Sequence, residues 1–189
     1  MSEKYKVDSS LAWKPPEEKE LGLKSLNDWL QEYADLLDKF IIKNRPSWEK
    51  IFKKNSSLPI CGDMIMDMAR WLSINPDFIL ALMLHESGCG TASIFKEKHN
   101  PFGWRAYDKA PRESADFFCS TFGAIAFIMY RIRTLYFSES GKYFKGATLK
   151  GLNMNYSRDK IEPYDPATWA EKVCAWMNRI DKFLIKERS

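Results

Sequence analysis

The strongest structural signal in the chain is the stretch of residues 75–107, NPDFILALMLHESGCGTASIFKEKHNPFGWRAY. Asn75 is typical of a helix N-cap, and Pro76 suits the first helical position, where its missing N–H would have no helical partner. Residues 78–84 are apolar throughout, and a helix that is apolar on all sides belongs inside a core. The glycines of the SGCG sequence after Glu86 suit the left-handed conformation that ends many helices. The stretch therefore predicts a buried central helix followed by a sharp turn.

Glu86 stands at the end of this apolar helix, on the face that carries Ile79, Leu82 and Met83. It also faces the negative end of the helix dipole. Both effects favour the neutral acid and predict a raised pKa. A carboxylic acid that keeps its proton near neutral pH is what a general acid requires. The alternative is a solvated glutamate in the last helical turn, since structural surroundings also perturb pKa values.

The composition is that of a globular protein of 189 residues, 45% hydrophobic and 14% aromatic, which suits one domain with a substantial core. A net charge of +4 favours an anionic partner such as a bacterial cell wall, a membrane surface or nucleic acid. No basic stripe with interleaved aromatic residues stands out, which argues against nucleic-acid binding. No apolar run approaches membrane-spanning length, which argues against membrane insertion. The aromatic residues serve core packing or a sugar-binding groove, because pyranose faces stack on rings.

The chain has four cysteines that lie far apart and form no C-x-x-C motif: Cys61, Cys89, Cys119 and Cys174. The first residues contain no apolar segment of the kind found in secretory signals, so no signal peptide is expected. Together these features predict buried free thiols rather than disulfides. A zinc site from His85, Cys89 and His99 would lack a fourth ligand at suitable spacing, so we expect no metal and no cofactor.

Helical periodicity predicts a mainly α fold, with a single domain over residues 21–189. Residues 1–20 are charged and contain two adjacent prolines, so they are expected to form a flexible arm. Two segments contain several prolines or glycines. Residues 99–112 are expected to form a loop or a small hairpin, and residues 138–164 are expected to form turns. Further helices are predicted over these ranges: 21–45, 46–54, 59–72, 91–98, 117–137 and 165–183. The segment 117–137 is strongly apolar and is expected to be a second buried helix.

Several pieces of the sequence resemble, in order, the N-acetylglucosaminidase family of peptidoglycan hydrolases, glycoside hydrolase family 73 of the lysozyme superfamily. The pieces are LALMLHESGCGTAS, HNPFGW and RAYD, then GATLKGLNMNYS at 146–157 and WAEKVCAWMNRI at 169–180. The resemblance covers roughly residues 60–183 and leaves 21–55 as additional N-terminal helices. It implies a lysozyme-like domain. The β-hairpin or loop lobe beside the active-site cleft would be reduced, because the interval after NPFG is short.

The family implies that Glu86 is the catalytic acid that protonates the glycosidic oxygen, and that Tyr156 is a groove tyrosine near the scissile bond. Asn100, Phe102 and Gly103 would shape the loop that flanks the cleft. The glycan groove would be lined by aromatic side chains: Phe102, Trp104, Tyr107 and Tyr156. The alternatives are an ordinary turn for the NPFG sequence and a half-buried core tyrosine at position 156.

A second catalytic carboxylate has three candidates in the following loop: Asp108, Glu113 and Asp116. Asp108 is favoured because it directly follows the matching RAY sequence, and a solvated loop aspartate is the alternative. Without such a partner, the 2-acetamido group of the substrate would attack the anomeric carbon, a known exception to the two-carboxylate scheme.

The resemblance implies an endo-β-N-acetylglucosaminidase that cleaves the β-1,4 bond between GlcNAc and MurNAc in peptidoglycan glycan strands. Without a signal peptide, the enzyme would reach the wall as a phage endolysin or as a tail-associated lysin. Otherwise it would be a domain of a secreted protein. Two alternatives stay open: a lytic transglycosylase of the same superfamily, and a non-catalytic binding or structural protein on a lysozyme-like scaffold.

Overall fold

The computed structural model describes residues 3–21, 24–44, 62–107, 109–156 and 166–189. This part of the chain is mainly helical, as predicted, and its β structure consists of two isolated bridges. A 3₁₀ turn at Glu18–Glu20 precedes these α-helices: α1 Leu26–Asn44, α2 Gly62–Leu72, α3 Pro76–Glu86, α4 Ser93–Lys98, α5 Pro111–Ser114, α6 Thr121–Leu135, α7 Leu149–Tyr156 and α8 Pro166–Arg188. No helix among these is long and apolar enough to cross a membrane.

Helices α1 and α2 confirm the predicted amphipathic helices, and they pack against each other. They approach each other tightly at Gly62, where an added Cβ would lie 2.2 Å from the carbonyl oxygen of Ala34. The amide of Gly62 donates a hydrogen bond of 2.8 Å to Asp38 Oδ1. The absence of a side chain therefore lets the start of α2 sit directly on α1. The helix predicted at 46–54 lies outside the described residues.

Helix α3 is the centre of the fold. The side chain of Asn75 accepts hydrogen bonds from the amides of Asp77 at 2.8 Å and Phe78 at 3.4 Å, which confirms the predicted N-cap. Every residue of 78–84 is completely buried. Helices α2 and α8 pack against α3, and the contact with α8 is the most extensive between any two elements described. The prediction of a buried central helix is confirmed.

Two predictions differ from the structure, the second buried helix at 117–137 and the turns over 138–164. Helix α6 is buried on one face only, because Ile125, Ile128 and Ile132 point into the core while Phe127 and Tyr130 are exposed. Helix α7 lies within 138–164, where its short length and the nearby glycines concealed it. The described residues of 99–112 form turns and the beginning of α5, without a hairpin.

The N-terminal segment packs on the helices. Tyr5 and Leu11 are buried, and the amide of Asn75 donates to the carbonyl oxygen of Leu11 at 2.8 Å. Bridges join Ser10 to Thr148 and Ala12 to Ile74. The expectation of a flexible arm is therefore wrong for residues 3–13, because two apolar side chains in this charged segment find places in the core.

The described cysteines are free thiols, as predicted, but they differ in burial. Cys174 is buried, Cys89 is half-buried and Cys119 is exposed. The expectation of buried thiols is thus correct for Cys174 and wrong for Cys119, while Cys61 lies outside the described residues.

A buried polar network joins the first turn of α3 to its surroundings. The carboxylate of Asp77 accepts hydrogen bonds from the hydroxyl of Tyr5 at 2.7 Å and from that of Tyr33, on α1, at 2.6 Å. Burial raises the pKa of Asp77, and the two hydroxyls oppose that rise. The backbone of Tyr5 in turn bonds to the amide side chain of Asn178, on α8, at 2.9 and 3.0 Å. One carboxylate thereby links the N-terminal segment, α1 and α3.

The substitution Tyr5→Phe should lower the free energy of unfolding by about 1–3 kcal/mol, because it leaves a buried carboxylate oxygen without its donor. Urea denaturation monitored by circular dichroism measures the change. Tyr130→Phe, at an exposed position on α6, is the matched control. An equal loss in both variants would contradict a structural role for the Asp77 network.

Candidate active site

Glu86 is the last residue of α3, and its side chain is half-buried. Its Oε1 accepts a hydrogen bond of 2.8 Å from the indole Nε1–H of Trp169. Trp169 is buried near the start of α8, the helix with the most extensive contact to α3. The same helix pairing that buries the apolar residues of α3 therefore also brings a hydrogen-bond donor to its terminal carboxyl group.

Burial raises the pKa of Glu86 to about 7, and the hydrogen bond from Trp169 opposes the rise. The predicted direction is thus confirmed, with removal from water as the main cause. No ion pair involves Glu86 among the described residues. Glu86 therefore keeps its proton to a higher pH than an ordinary glutamate does.

The turn after Glu86 is held by several hydrogen bonds. The hydroxyl of Ser87 donates to the carbonyl oxygen of Met83 at 2.5 Å and accepts from the amide of Gly90 at 2.9 Å. Gly88, Cys89 and Gly90 have φ values of 54°, 58° and 81°. This confirms the left-handed turn predicted from the SGCG sequence and includes one non-glycine residue in that region. The chain therefore leaves α3 sharply beside Glu86.

His85 precedes Glu86 and lies edge-on to Trp169, with ring centroids 6.3 Å apart. Burial, and secondarily the charge of Lys172, lowers the pKa of His85. The imidazole is therefore mainly neutral at pH 7 and places little positive charge beside Glu86. In the part of the chain that the structure describes, His85, Cys89 and His99 do not come together as metal ligands, and no other three potential ligands do.

The predicted cleft loop is held from within by Asn100. This fully buried side chain donates from Nδ2 to the carbonyl oxygens of Trp104 and Asp116, both at 3.0 Å. Its Oδ1 accepts from the amide of Trp104 at 2.9 Å. Phe102 is buried in the core, and Gly103 has a φ of 59°, which favours glycine. These residues fix the shape of the loop.

The aromatic side chains of this loop differ in exposure. Trp104 is half-buried, whereas Tyr107 is 48% exposed and its amide donates to the hydroxyl of Ser114 at 2.8 Å. The hydrogen bonds of the loop run within it and to residues 113–118, and that of Glu86 runs to α8. The hydrogen bonds of the loop hold it against the segment that follows it.

The candidates for a second carboxylate occupy different situations. Asp108 lies outside the described residues, and so does the side chain of Tyr156, whose backbone ends α7. Asp116 pairs with Arg105 at 3.4 Å. Glu113 is exposed on α5. The roles of Asp108 and Tyr156 remain predictions.

Trp169 is the site residue that periodicity did not reveal. Its spacing with Val173 and Met177 marks it as one more apolar residue on the inner face of α8. A tryptophan in such a pattern is expected to fill the core, unless its N–H group binds a specific acceptor. Here the acceptor is Glu86, which lies 83 positions away in the chain and gives no local sequence signal. The available signal was its position at the start of the WAEKVCAWMNRI sequence.

Comparison with known proteins adds a family and two relatives. A family model described as "Glucosaminidase: Mannosyl-glycoprotein endo-beta-N-acetylglucosaminidase" matches residues 62–182. Two Streptococcus pneumoniae proteins, from strains TIGR4 and R6, are each provisionally named an endo-beta-N-acetylglucosaminidase. Both are 31% identical to this chain over 140 residues, or 72% of its length. The match covers 20% and 19% of their own lengths, so the chain spans about a fifth of these relatives.

The raised pKa of Glu86 predicts a pH-dependent difference in stability. A folded-state pKa of about 7 exceeds that of an unfolded glutamate, so the folded protein binds the extra proton and loses stability as pH rises from about 4 to about 7. Glu86→Gln removes this loss. We expect the variant to gain about 1–3 kcal/mol over the wild type between pH 4 and pH 8, measured by urea denaturation.

Glu139→Gln, at an exposed turn position, is the matched control for the loss of a carboxylate. If the stability curves of wild type and Glu86→Gln run parallel across this pH range, the carboxyl group of Glu86 has no raised pKa in solution.

Proposed function

This chain belongs to the glucosaminidase family, glycoside hydrolase family 73, and from this membership we propose an endo-β-N-acetylglucosaminidase that hydrolyses peptidoglycan. The bond cleaved is the β-1,4 linkage between GlcNAc and MurNAc. The observation that carries the proposal is the half-buried Glu86 at the end of α3, inside the matched segment 62–182, with its pKa raised to about 7. A hydrolase of this kind needs an acid that still holds a proton at neutral pH.

In the proposed reaction, Glu86 donates its proton to the glycosidic oxygen as the bond to the anomeric carbon of GlcNAc breaks. The departing MurNAc leaves as an alcohol, and positive charge develops at the anomeric carbon. Water adds to that carbon and gives up a proton, which yields a GlcNAc reducing end. No cofactor takes part in this sequence of bond changes.

Trp169 assigns different tasks to the two oxygens of Glu86. The indole N–H can only donate a hydrogen bond, so Oε1, at 2.8 Å, must accept it. The proton of the acid form is then carried by Oε2, which is proposed to face the glycosidic oxygen. Trp169 thus acts as a positioning residue, because it limits rotation of the carboxyl group and selects the oxygen that carries the proton.

The remaining roles extend the proposal to the loop. Asp108 is proposed as the base that takes the proton of the attacking water, and Tyr156 as the groove tyrosine. Trp104 and Tyr107 are proposed to contact the glycan. Asn100, Phe102 and Gly103 are proposed to hold the loop in shape. The side chains of Asn100 and Phe102 are buried, the first with hydrogen bonds inside the loop and the second in the core.

The bacterial cell wall is the proposed place of action. The net charge of +4 favours contact with an anionic wall. A phage endolysin or a tail-associated lysin would carry this activity to the wall.

Glu86→Gln should reduce lysis of purified cell walls by about 100-fold or more, because general acid catalysis contributes about 10²–10⁴-fold. Loss of turbidity measures the rate, and Glu139→Gln at an exposed turn is the control. Mass spectrometry of the products should find GlcNAc reducing ends. Products ending in 1,6-anhydroMurNAc would instead identify a lytic transglycosylase, and equal clearing by Glu86→Gln would exclude Glu86 as the acid.

Trp169→Phe should move the alkaline limb of the pH–activity profile upward by about one pH unit. In the wild type, the hydrogen bond from Trp169 lowers the pKa of Glu86, so its loss should raise that pKa. A hydrogen bond to a charged group contributes about 1.5–3 kcal/mol. We also expect kcat to fall while KM changes little, since the acid is no longer held in place.

Trp176→Phe, a half-buried tryptophan on the same helix, is the matched control. The positioning role of Trp169 is wrong if both variants lose activity without any change in the pH profile, because a purely structural residue would behave in that way.

A further inference from the structure

The exposed large hydrophobic side chains of this protein are almost all aromatic. Among the described residues, Ile185 is the one aliphatic member of that group. One group of them lies where α6 passes the end of α2. We call its members, Trp71, Phe127 and Tyr130, the aromatic surface. Trp71 is 63% exposed, Tyr130 46% and Phe127 45%. Contiguous apolar exposure of this kind marks a binding surface.

The rings of the aromatic surface are arranged in a row. Trp71 and Tyr130 are nearly parallel, with an interplanar angle of 14° and centroids 6.1 Å apart. Phe127 lies one helical turn before Tyr130 on α6 and contacts Trp104 with centroids 6.5 Å apart. Trp104 belongs to the loop that Asn100 holds in shape. The row therefore runs from the candidate cleft loop along α6 to the end of α2.

The backbone beneath this row is fixed. Arg133 Nε, on α6, donates to the carbonyl oxygen of Leu72, the last residue of α2, at 3.1 Å. Its Nη1 donates to the carbonyl oxygen of Phe137 at 3.1 Å. The first bond joins the two helices next to the Trp71–Tyr130 pair, and the second ties Arg133 to the chain just beyond α6. The backbone that carries the two rings is thus prearranged, which lowers the ordering cost for a ligand.

The charges beside the platform suit an anionic partner. Arg70 and Arg131 are exposed neighbours of Trp71 and Tyr130 in the sequence, and neither forms a salt bridge with another described residue. Asp67, one turn before Trp71 on α2, is the nearest carboxylate along that helix. Flat rings flanked by cations fit a polymer that presents apolar pyranose faces together with carboxylates, as a peptidoglycan strand does.

We propose that the aromatic surface is an additional glycan-binding site, which holds the same peptidoglycan strand at a distance from the bond that is cleaved. The inference rests on the proposed function for the identity of the polymer. Continuity with Trp104 supports one strand crossing both regions, and the wholly aromatic composition of the row favours sugar rings over a protein partner with aliphatic side chains.

Sedimentation with purified peptidoglycan sacculi tests the proposal. All proteins carry Glu86→Gln, so that the binding measurement does not depend on catalysis. The double change Trp71→Ala with Tyr130→Ala should weaken binding roughly tenfold, because each ring contributes stacking comparable to that of an aromatic pair. Ile185→Ala on α8 removes an exposed aliphatic side chain and should bind as the parent does. Trp71→Phe with Tyr130→Phe keeps both rings and should retain most of the affinity.

Thermal unfolding followed by circular dichroism establishes that each variant is folded at the assay temperature. Unchanged binding by the double alanine variant would overturn the proposal, and so would an equal loss in the ring-retaining variant. A change confined to self-association in analytical ultracentrifugation would assign the surface to contacts between copies of the chain instead. Failure of the proposed hydrolysis is seen separately, as wall lysis that is unaffected by Glu86→Gln.

Discussion

The burial of α3 is the constraint on which the rest of the structure depends. Its residues 78–84 have no polar side chain, so the free energy of folding is most favourable when every side of the helix is covered. Helices α2 and α8 and the N-terminal segment supply that cover, and the arm docks because Leu11 and Tyr5 reach the same interior. Because the middle of α3 is apolar and covered, its ionisable side chains lie near its two ends.

Helix α3 carries a carboxylic acid near each end, Asp77 and Glu86, and their surroundings differ. At the first turn, the completely buried Asp77 accepts hydrogen bonds from two tyrosine hydroxyls, which suits a group that joins segments of the chain. At the last residue, the half-buried Glu86 receives one indole N–H on one oxygen. Burial raises the pKa of both groups, but only Glu86 is partly exposed to solvent. The structural acid and the acid proposed to be reactive are thus separated by about two and a half turns of helix.

The sequence predicted the structure well where the local capping and turn residues and the hydrophobic pattern indicated the same element. The Asn75–Pro76 start of α3, its wholly apolar interior and the left-handed turn after it follow from residue types alone. The one-sided burial of α6 could not be predicted in this way, because periodicity does not distinguish a face that packs from a face whose phenylalanine and tyrosine rings remain exposed. The docking of residues 3–13 was also missed, since a few apolar residues in a charged segment give no periodic pattern.

By itself, the sequence determined the mainly α class, the central helix and the family resemblance. It also singled out Glu86 as the candidate acid, since each of these inferences rests on the order of neighbouring residues. Only the tertiary structure decided which partner Glu86 has, how far burial raises its pKa, and that Asn100 serves the loop from inside. It also decided that Trp71 and Tyr130 form one surface. The physical reason is that hydrogen bonds, desolvation and stacking act between atoms close in space, and these atoms belong to residues far apart in the chain.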